Sequence, residues 1–420
     1  MKILYISQYF PPEMGAPAAR AAELACHWVN AGHEVTVLTG FPNHPTGQVP
    51  AAYRRRMRRL IFRETVNGVR VVRTWLLPLP NRKPYERMLN YGSFFLSASV
   101  AGLFLEPPDV VIATSPQLLV GLAGWWVARW KRLPFVLEVR DLWPESLEAV
   151  GVGDGKSFLN RFLAKVAGFL YRESQRIVVV TPAFREHLLN RLGVSREKIS
   201  IVENGVETDR FHPDAIDAGL RRKLGAGGRF VVSYVGTIGM AHGLGTLLDA
   251  AAQLQVVAPQ VLLMVVGEGA EKERIMSLAE SGGLANIRFV EQQPRERIPA
   301  YICAADACLV MLKKDDVFKT VIPTKLLEFM SCGRPVILGV DGQAREVVET
   351  SAAGIFVEPE DSGSLAEAIM RLATDPGLCG TLGRNGRSYA VAHFSRRKTA
   401  QIYIDVLERM LERNALSAAA

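Results

Sequence analysis

The sequence predicts an α/β protein with two parallel-sheet domains that face each other across a cleft. Apolar, β-branched segments alternate with helical patterns along the whole chain, which is typical of strands joined by crossover helices. The alternation restarts near the middle, and each half carries a glycine-bearing loop directly after its first strand. Because ligands bind beyond the carboxyl ends of parallel strands, we expect both loops to border a binding site.

The first domain is predicted to cover residues 1–200. Its strand candidates are short apolar runs rich in Val and Ile: KILYIS, EVTVLT, DVVIAT, FVLEVR and RIVVVT.

The second domain is predicted to cover residues 201–394, and the turn-rich segment Val202–Ala215 is predicted to connect it to the first. Its strand candidates are RFVVSYVG, VLLMVVG, NIRFVE, ACLVML, RPVILG and GIFVE. The last segment, Lys398–Arg413, places apolar residues at helical spacing and predicts a long final helix.

The composition is that of a globular protein, with 49% hydrophobic and 22% charged residues among 420. Five cysteines without C-x-x-C spacing predict neither a disulfide framework nor a zinc site. The opening MKILYISQYF has no signal-peptide pattern, so we expect a cytoplasmic protein. Peripheral attachment at the inner face of the plasma membrane is kept as an alternative.

The formal net charge of +8 is concentrated in the basic run Arg54–Arg59, which is interrupted only by Met57. Such a run is most often a solvated surface, and the functional alternative is attraction to anionic lipid or to a phosphorylated acceptor. Nucleic acid is not an expected partner, because the run lacks interleaved aromatic residues and no recognition motif is present.

The uncharged segment Leu89–Leu105 is shorter than the ~20 residues of a membrane span and is diluted by Asn90 and three serines. We interpret it as a buried helix, with an interfacial helix as the second interpretation.

The two glycine-bearing loops are Gln8–Arg20 and Tyr234–Thr246. Glycine lets the backbone approach a ligand closely, and the N-terminus of the following helix favours an anion. Neither loop is a G-x-G-x-x-G fingerprint, and β-strand EVTVLT ends without the acidic residue that holds a nicotinamide ribose. A nicotinamide-dependent dehydrogenase is therefore disfavoured, and the absence of a P-loop leaves nucleotide hydrolysis without support.

The segment Val321–Ile337 predicts a short helix that starts at Pro323–Thr324 and stops at Gly333. It places Lys325 and Glu328 three residues apart on one face of the first turn. They are either a surface ion pair or two groups that hold a phosphate and a hydroxyl.

Three charged side chains, Arg140, Asp141 and Glu145, follow the strand FVLEV at its carboxyl end. Asp141 could cap the next helix and pair with Arg140. We favour a site role, in which Asp141 or Glu145 binds an acceptor or assists its deprotonation.

The chain resembles the family 4 glycosyltransferases, which are retaining enzymes with the GT-B fold. The resemblance covers nearly the whole length and rests on MKILYISQYFPPEMGAPAAR, VENGVETDRFHP, YVGTIGMAHGLGTLLDAA, VVGEGAE and IPTKLLEFMSCGRPVI. RDLWPES (140–146) is similar to the subgroup that contains the fucosamine transferases of O-antigen and capsule assembly.

The resemblance implies two Rossmann-like domains, with a last helix over 395–415 returning to the first. It implies a nucleotide-diphosphate sugar, expected to be a UDP-sugar, as donor substrate on the second domain. The acceptor, a cell-surface polysaccharide precursor expected to be linked to polyprenyl diphosphate, would bind the first domain. The transferred sugar would be an N-acetylated amino sugar such as N-acetylfucosamine.

The resemblance also implies roles for individual residues. Lys325 would stabilise the leaving diphosphate, and Glu328, at the second glutamate of the family's E-x7-E motif, would hold the ribose hydroxyls. The implied donor-binding set is Gly15, Gly236, Thr237, His242, Gly243, Glu268, Thr324, Lys325, Leu326 and Glu328. The implied acceptor-binding set is Arg20, Ser115, Arg140 and Glu145. The implied catalytic set is Lys325, Asp141, Glu145 and Arg140. No cofactor and no metal are expected, since the chain contains no D-x-D triplet.

The sequence departs from the family pattern at four places. Thr320 stands where the first glutamate of E-x7-E would be, and Thr237 and His242 stand where an Arg and a Lys are usual. Ser115–Pro116 occupies a position where some members have a histidine. Two alternatives therefore stay open, a GT-B epimerase acting on UDP-sugars and a non-catalytic protein that retains the fold.

Overall fold

The computed structural model describes residues 1–44, 46–80, 83–115, 117–143, 145 and 158–419. Pro116 and, within RDLWPES, Pro144 and Ser146 lie outside the described residues. The chain divides into two compact units, Met1–Glu203 with Arg397–Ala420 and Asn204–Arg396.

In the first unit, the described strands form one eight-stranded sheet in the order β3-β4-β2-β1-β5-β6-β7-β8. The strands are β1 (Lys2–Ile6), β2 (Glu34–Gly40), β3 (Ile61–Val66), β4 (Val69–Thr74), β5 (Val110–Thr114), β6 (Phe135–Val139), β7 (Arg176–Val179) and β8 (Ile199–Ile201). All neighbouring pairs are parallel except β3 with β4. The helices of this part are α1 (Ala16–Asn30), α2 (Ala51–Arg54), α3 (Pro84–Leu103), α4 (Leu118–Lys131), α5 (Phe158–Glu173) and α6 (Pro182–Leu192).

In the second unit, the strands form a parallel six-stranded sheet in the order β11-β10-β9-β12-β13-β14. They are β9 (Phe230–Val235), β10 (Val261–Val266), β11 (Ile287–Val290), β12 (Ala307–Met311), β13 (Val336–Gly339) and β14 (Gly354–Phe356). The helices are α7 (Leu220–Lys223), α8 (Gly245–Val257), α9 (Lys272–Ser281), α10 (Ile298–Cys303), α11 (Thr324–Ser331), α12 (Gln343–Ser351), α13 (Ser362–Thr374) and α14 (Pro376–Phe394).

The last helix, α15 (Arg396–Ala419), packs into the core of the first unit, where Tyr403, Ile404 and Leu407 join Trp28 in one buried cluster. Trp28 Nε1 also donates to the carbonyl of Ala400 at 3.2 Å. The return of the final helix to the first part of the chain thus combines apolar burial with directed hydrogen bonds.

In both sheets the strand order reverses beside the first strand. The crevice at such a reversal lies between β1 and β5 in the first unit and between β9 and β12 in the second. The loops that leave these four strands are therefore the places where each unit can bind a ligand.

The predicted two-domain parallel α/β fold is confirmed, and every predicted strand is present. Three further strands, β3, β4 and β8, were not anticipated. Asn67 and Gly68 adopt positive φ angles of 50° and 80° and turn β3 into β4 as a hairpin, so the Asn-Gly pair was the available signal. β8 has three residues, which is too short to show a period.

The interpretation of Leu89–Leu105 as a buried helix is wrong for one face of α3. Phe94, Ala98 and Ala101 are buried, whereas Leu96, Val100 and Phe104 are 65%, 58% and 76% exposed. Among the described helices, none combines the length and hydropathy that crossing a membrane requires.

Candidate functional site

Lys325 lies in the first turn of α11, beside the loop that follows β9. Its Nζ donates to the hydroxyl of Tyr234 at 2.8 Å and lies 4.0 Å from the centroid of that ring. Tyr234 Oη in turn donates to the carbonyl of Thr237. The ammonium is thus directed at the glycine loop by an aromatic residue that the sequence analysis missed.

The surroundings of Lys325 disfavour its charged form. Burial lowers its pKa from 10.5 to about 7, and the opposing influence of Glu328 is smaller. A β-carbon built on Gly236 would lie 2.8 Å from Lys325 Nζ, and Gly236 has a φ of 147°. Glycine is needed there both for its conformation and for the approach of the lysine.

His242 lies in the same loop and is neutral. Burial, and then the charge of Lys325, lower its pKa from 6.5 to about 3. Its Nδ1 is 3.3 Å from the carbonyl of Gly239, so one ring nitrogen faces a backbone acceptor. A neutral imidazole carries only one N–H, and the carbonyl of Gly239 is the acceptor beside Nδ1, so His242 brings no positive charge to the loop.

Glu328 lies one helical turn after Lys325 and is buried. Its Oε1 is 3.0 Å from Nη1 of Arg295, whose guanidinium stacks 5.1 Å from the ring centroid of Phe211. The surface-pair alternative for Lys325 and Glu328 does not describe this geometry, because each has a different close partner. Arg295 was missed by the sequence analysis, because the short segment Arg295–Arg297 gives no signal for a partner 33 positions later in the chain.

The backbones of the loops after β9 and β10 touch directly. A β-carbon on Gly267 would lie 2.0 Å from the carbonyl oxygen of Gly236, and one on Gly269 would lie 2.2 Å from that of Ile238. The glycines of the VVGEG motif therefore serve loop packing. Glu268 forms an ion pair with Lys272, which also lies 3.0 Å from Glu291, and this favours a helix-start role for Glu268.

The remaining predicted donor residues in the second unit lie in the loop after β9 and in the first turn of α11. Gly243 adopts a left-handed conformation with a φ of 59° just before α8. Thr324 is the first residue of α11, and the side chain of Leu326 is fully buried in the core. Thr324 brings a hydroxyl to this end of the helix, whereas the amide of Leu326 donates to the carbonyl of Pro323 at 3.0 Å.

In the first unit the structure brings Ser115 and Arg140 together. Ser115 Oγ accepts from the backbone N–H of Arg140 at 2.7 Å, at the carboxyl ends of β5 and β6. Burial raises the pKa of the adjacent Asp141 from 3.8 to about 6, although Arg140 opposes this rise. A carboxyl poised near neutral pH, next to a guanidinium, suits contact with a hydroxyl-bearing ligand.

Glu145 has a different partner. Its Oε1 is 3.3 Å from Nε2 of His187 on α6, and this hydrogen bond is the largest cause that lowers the pKa of Glu145.

Arg20 is enclosed within the first unit. Its side chain is 1% exposed, and its Nη2 and Nε lie 2.7 and 3.0 Å from Oε1 of Glu138. Tyr5 donates to the other oxygen of Glu138 at 2.8 Å. This geometry favours a structural role for Arg20, because the guanidinium has no open side for an acceptor.

Gly15 ends the first glycine loop and is exposed. It has a φ of 136° and precedes Ala16, the first residue of α1, and its carbonyl accepts the first helical hydrogen bond from Ala19. Gly15 thus places an exposed backbone at the N-terminus of α1, where an anion is favoured.

Among the described residues, no three His, Cys, Asp or Glu side chains come together as a metal-ligand set. A cavity of about 620 Å³ lies at the amino ends of β1 and β2 and is lined by residues such as Lys2, Glu34 and Phe104. None of the predicted site residues lines it.

Residues 15–205 match the model of the glycosyl transferase 4-like domain, and residues 218–389 match that of glycosyl transferases group 1. The two matches together span most of the chain.

Similarity to individual proteins extends over nearly the full length. The chain is 26% identical over 386 residues to a putative colanic acid biosynthesis glycosyl transferase, WcaI, of Escherichia coli K12, covering 88% of this chain and 91% of that protein. Sucrose-phosphate synthase from Thermosynechococcus elongatus superposes with a TM-score of 0.77 at 23% identity, over 100% of both chains. HepE of Anabaena, in complex with UDP-glucose, superposes with a TM-score of 0.72 at 20% identity, over 97% of this chain and 100% of that chain. At these identities the superpositions show the fold.

Proposed function

Because the chain is a glycosyltransferase that belongs to family 4 and has the GT-B fold, we propose that it transfers a sugar, with retention of configuration, from a UDP-sugar to a cell-surface polysaccharide precursor. The observation that carries the proposal is the placement of the Lys325 ammonium against Gly236 and Tyr234, at the N-terminus of α11. A cation beside the N-terminus of a helix favours the binding of a diphosphate.

Lys325 and the first-turn amides of α11 stabilise the negative charge that grows on the leaving diphosphate. His242 lines the same loop as a neutral group, and no metal takes part. Glu328 accepts hydrogen bonds from the ribose hydroxyls, and Arg295 holds its carboxylate in place. In these assignments the donor is bound by the first two turns of α11 and by the loop after β9, and Arg295 supports Glu328 from a separate segment.

The acceptor binds the first unit at the carboxyl ends of β5 and β6. Arg140 contacts a negatively charged or strongly polar group of the acceptor, and Asp141 contacts the attacking hydroxyl, with the backbone of Arg140 fixed by Ser115. The name of the WcaI relative supports an extracellular polysaccharide as the product class. We propose an N-acetylated amino sugar, such as N-acetylfucosamine, as the transferred group.

The acceptor is linked to a lipid, and the protein meets it at the cytoplasmic face of the membrane. The observation that supports this proposal is a set of exposed apolar side chains on α3 and α4 and at the end of α3. They are Leu96, Val100, Phe104, Trp126 and Trp130. Lys131 joins the two helices by donating to the carbonyls of Leu103 and Leu105 at 2.9 and 2.7 Å. The basic residues at the end of α4 and in the run Arg54–Arg59 suit anionic headgroups.

The proposal is tested with a panel of UDP-sugars, with and without a polyprenyl-diphosphate-linked acceptor. UDP release that requires the acceptor, with the product anomer matching the donor, supports a retaining transferase. Epimerised sugar without acceptor would instead identify an epimerase, and failure to bind any nucleotide sugar would identify a non-catalytic protein. GDP-sugars in the same panel decide whether uracil is the base.

A further inference from the structure

Glu13 takes no part in the donor or acceptor contacts proposed above. It lies two residues before Gly15, in the loop that connects β1 to α1, and it is 7% exposed. Its Oε1 accepts from the backbone N–H groups of Asn43 and His44, both at 2.9 Å. A single carboxylate therefore joins the loop after β1 to the loop after β2.

The rest of the same loop is also fastened by directed contacts. Gln8 donates to Asn90 on α3 at 2.6 Å, its carbonyl accepts from Thr39 Oγ1 at 3.0 Å, and Arg73 donates to the carbonyl of Pro11. These contacts hold the chain up to Pro11. Between Pro11 and the exposed Gly15, the Glu13 carboxylate is the side-chain contact that fixes the loop.

The second oxygen of Glu13 is not satisfied. Oε2 is buried without a hydrogen-bond partner among the described residues. Desolvation by burial raises the pKa of Glu13 from 4.5 to about 7, while the two amides and then Arg73 oppose the rise. The groups that face it are Arg73 on β4, His44 after β2, whose own pKa burial lowers to about 4, and Tyr9 in its own loop.

We infer that Glu13 is a positioning residue that sets the place of Gly15 at the N-terminus of α1, by fastening the loop after β1 to the backbone of Asn43 and His44. The ionised carboxylate accepts the two N–H groups more strongly than the neutral acid does. The loop is therefore held firmly when Glu13 is ionised and more loosely when it is protonated. Its effect on sugar transfer rests on the proposed function and on the donor contact that the family resemblance implies for Gly15.

The first arm of the test needs no activity. Amide proton shifts of Asn43 and His44 are followed by NMR between about pH 5.5 and 8.5 in the wild type, in Glu13→Gln and in the matched control Glu34→Gln. Glu34 is an exposed glutamate of the same unit, paired with Arg70 at the start of β2. We expect one step near pH 7 in the wild type and in the control, and none in Glu13→Gln. A flat wild-type titration, or a step that survives in Glu13→Gln, overturns the inference.

The second arm compares turnover of the wild type with that of Glu13→Gln over the same range. Division of the two rates removes the titrations that both proteins share, such as those of Lys325 and Asp141. We expect the ratio of wild-type to variant kcat to rise with pH through about 7, reaching about tenfold, because a misplaced contact loop slows the reacting step. A ratio that does not change with pH would show that Glu13 holds the fold but does not position Gly15. If the wild type shows no transferase activity, the proposed function fails, and the first arm still decides whether the carboxylate controls the loop.

Discussion

The ammonium of Lys325 lies on the ring of Tyr234 and donates to its hydroxyl at 2.8 Å, although the two residues are 91 positions apart in the chain. Burial there lowers the pKa of the lysine to about 7. An anion placed at the same point would restore the charged form, since an opposite charge nearby favours ionisation. Tyr234 thus fixes the position of the lysine without an opposing negative charge, so a phosphate could bind there as its counter-ion.

Replacement of Lys325 by Met is expected to lower kcat by about 10²- to 10³-fold, as removal of one transition-state donor does. The midpoint of thermal unfolding should change little, because the substitution removes a desolvated cation and keeps its aliphatic stem. Lys319→Met, at a lysine 46% exposed nearby in sequence, is the control and should leave both quantities unchanged. Activity of Lys325→Met within a few-fold of the wild type would contradict the assignment.

UDP binding near pH 8 should take up a proton. At that pH most Lys325 is neutral, and the diphosphate raises its pKa, so the bound state carries the extra proton. Calorimetry in buffers of different ionisation enthalpy measures this uptake. The observed binding enthalpy, plotted against the ionisation enthalpy of the buffer, should have a slope of about one proton. The slope should shrink near pH 6, where the amine is already charged, and should vanish in Lys325→Met. His242 does not account for the uptake, because its pKa in the free protein is about 3, far below the pH of the measurement.

Glu328→Gln should weaken binding of the nucleotide sugar by about tenfold, the loss expected when charge-assisted hydrogen bonds become neutral ones. Binding of a sugar-free diphosphate such as pyrophosphate should not change, since Glu328 is assigned to the ribose. Equal affinity of wild type and variant for the nucleotide sugar, measured by calorimetry, would remove the ribose role.

Arg20→Met should destabilise the protein by about 3 kcal/mol, because it leaves the Glu138 carboxylate buried without its cation. The double variant Arg20→Met/Glu138→Met should recover most of this loss in denaturant unfolding. If Arg20 contacted the acceptor, the double variant would regain stability but would show a raised KM for the acceptor alone. An unchanged KM supports the structural role.

Phe104→Ser should reduce binding to vesicles that contain anionic phosphatidylglycerol, because an exposed aromatic residue contributes apolar area at a lipid interface. Val256→Ser, at a residue 81% exposed in the second unit, is the matched control and should bind as the wild type does. Sedimentation with vesicles measures both, and equal loss in the two variants would count against a docking surface on α3.

The fold could be predicted from the sequence because its signals are local. Most predicted strands are short apolar runs whose side chains are buried on both faces, and such runs can be recognised from a few residues. The two edge strands of the second sheet, β11 and β14, are only partly buried. The hairpin of β3 and β4 was missed since its strands mix charged with apolar residues, and the exposed face of α3 was missed because apolar residues lie on both of its sides.

The sequence by itself determined the alternating pattern of the two sheets, the two glycine loops, and the helix start that places Lys325 and Glu328 on neighbouring positions. These features depend on residues within a few positions of one another, so the chain pattern specifies them. Only the tertiary structure decided the partners: Tyr234 for Lys325, Arg295 for Glu328, Glu138 for Arg20, and the two backbone amides for Glu13. The order of strands in a sheet brings distant loops together, and that order is set by the packing of whole strands and helices.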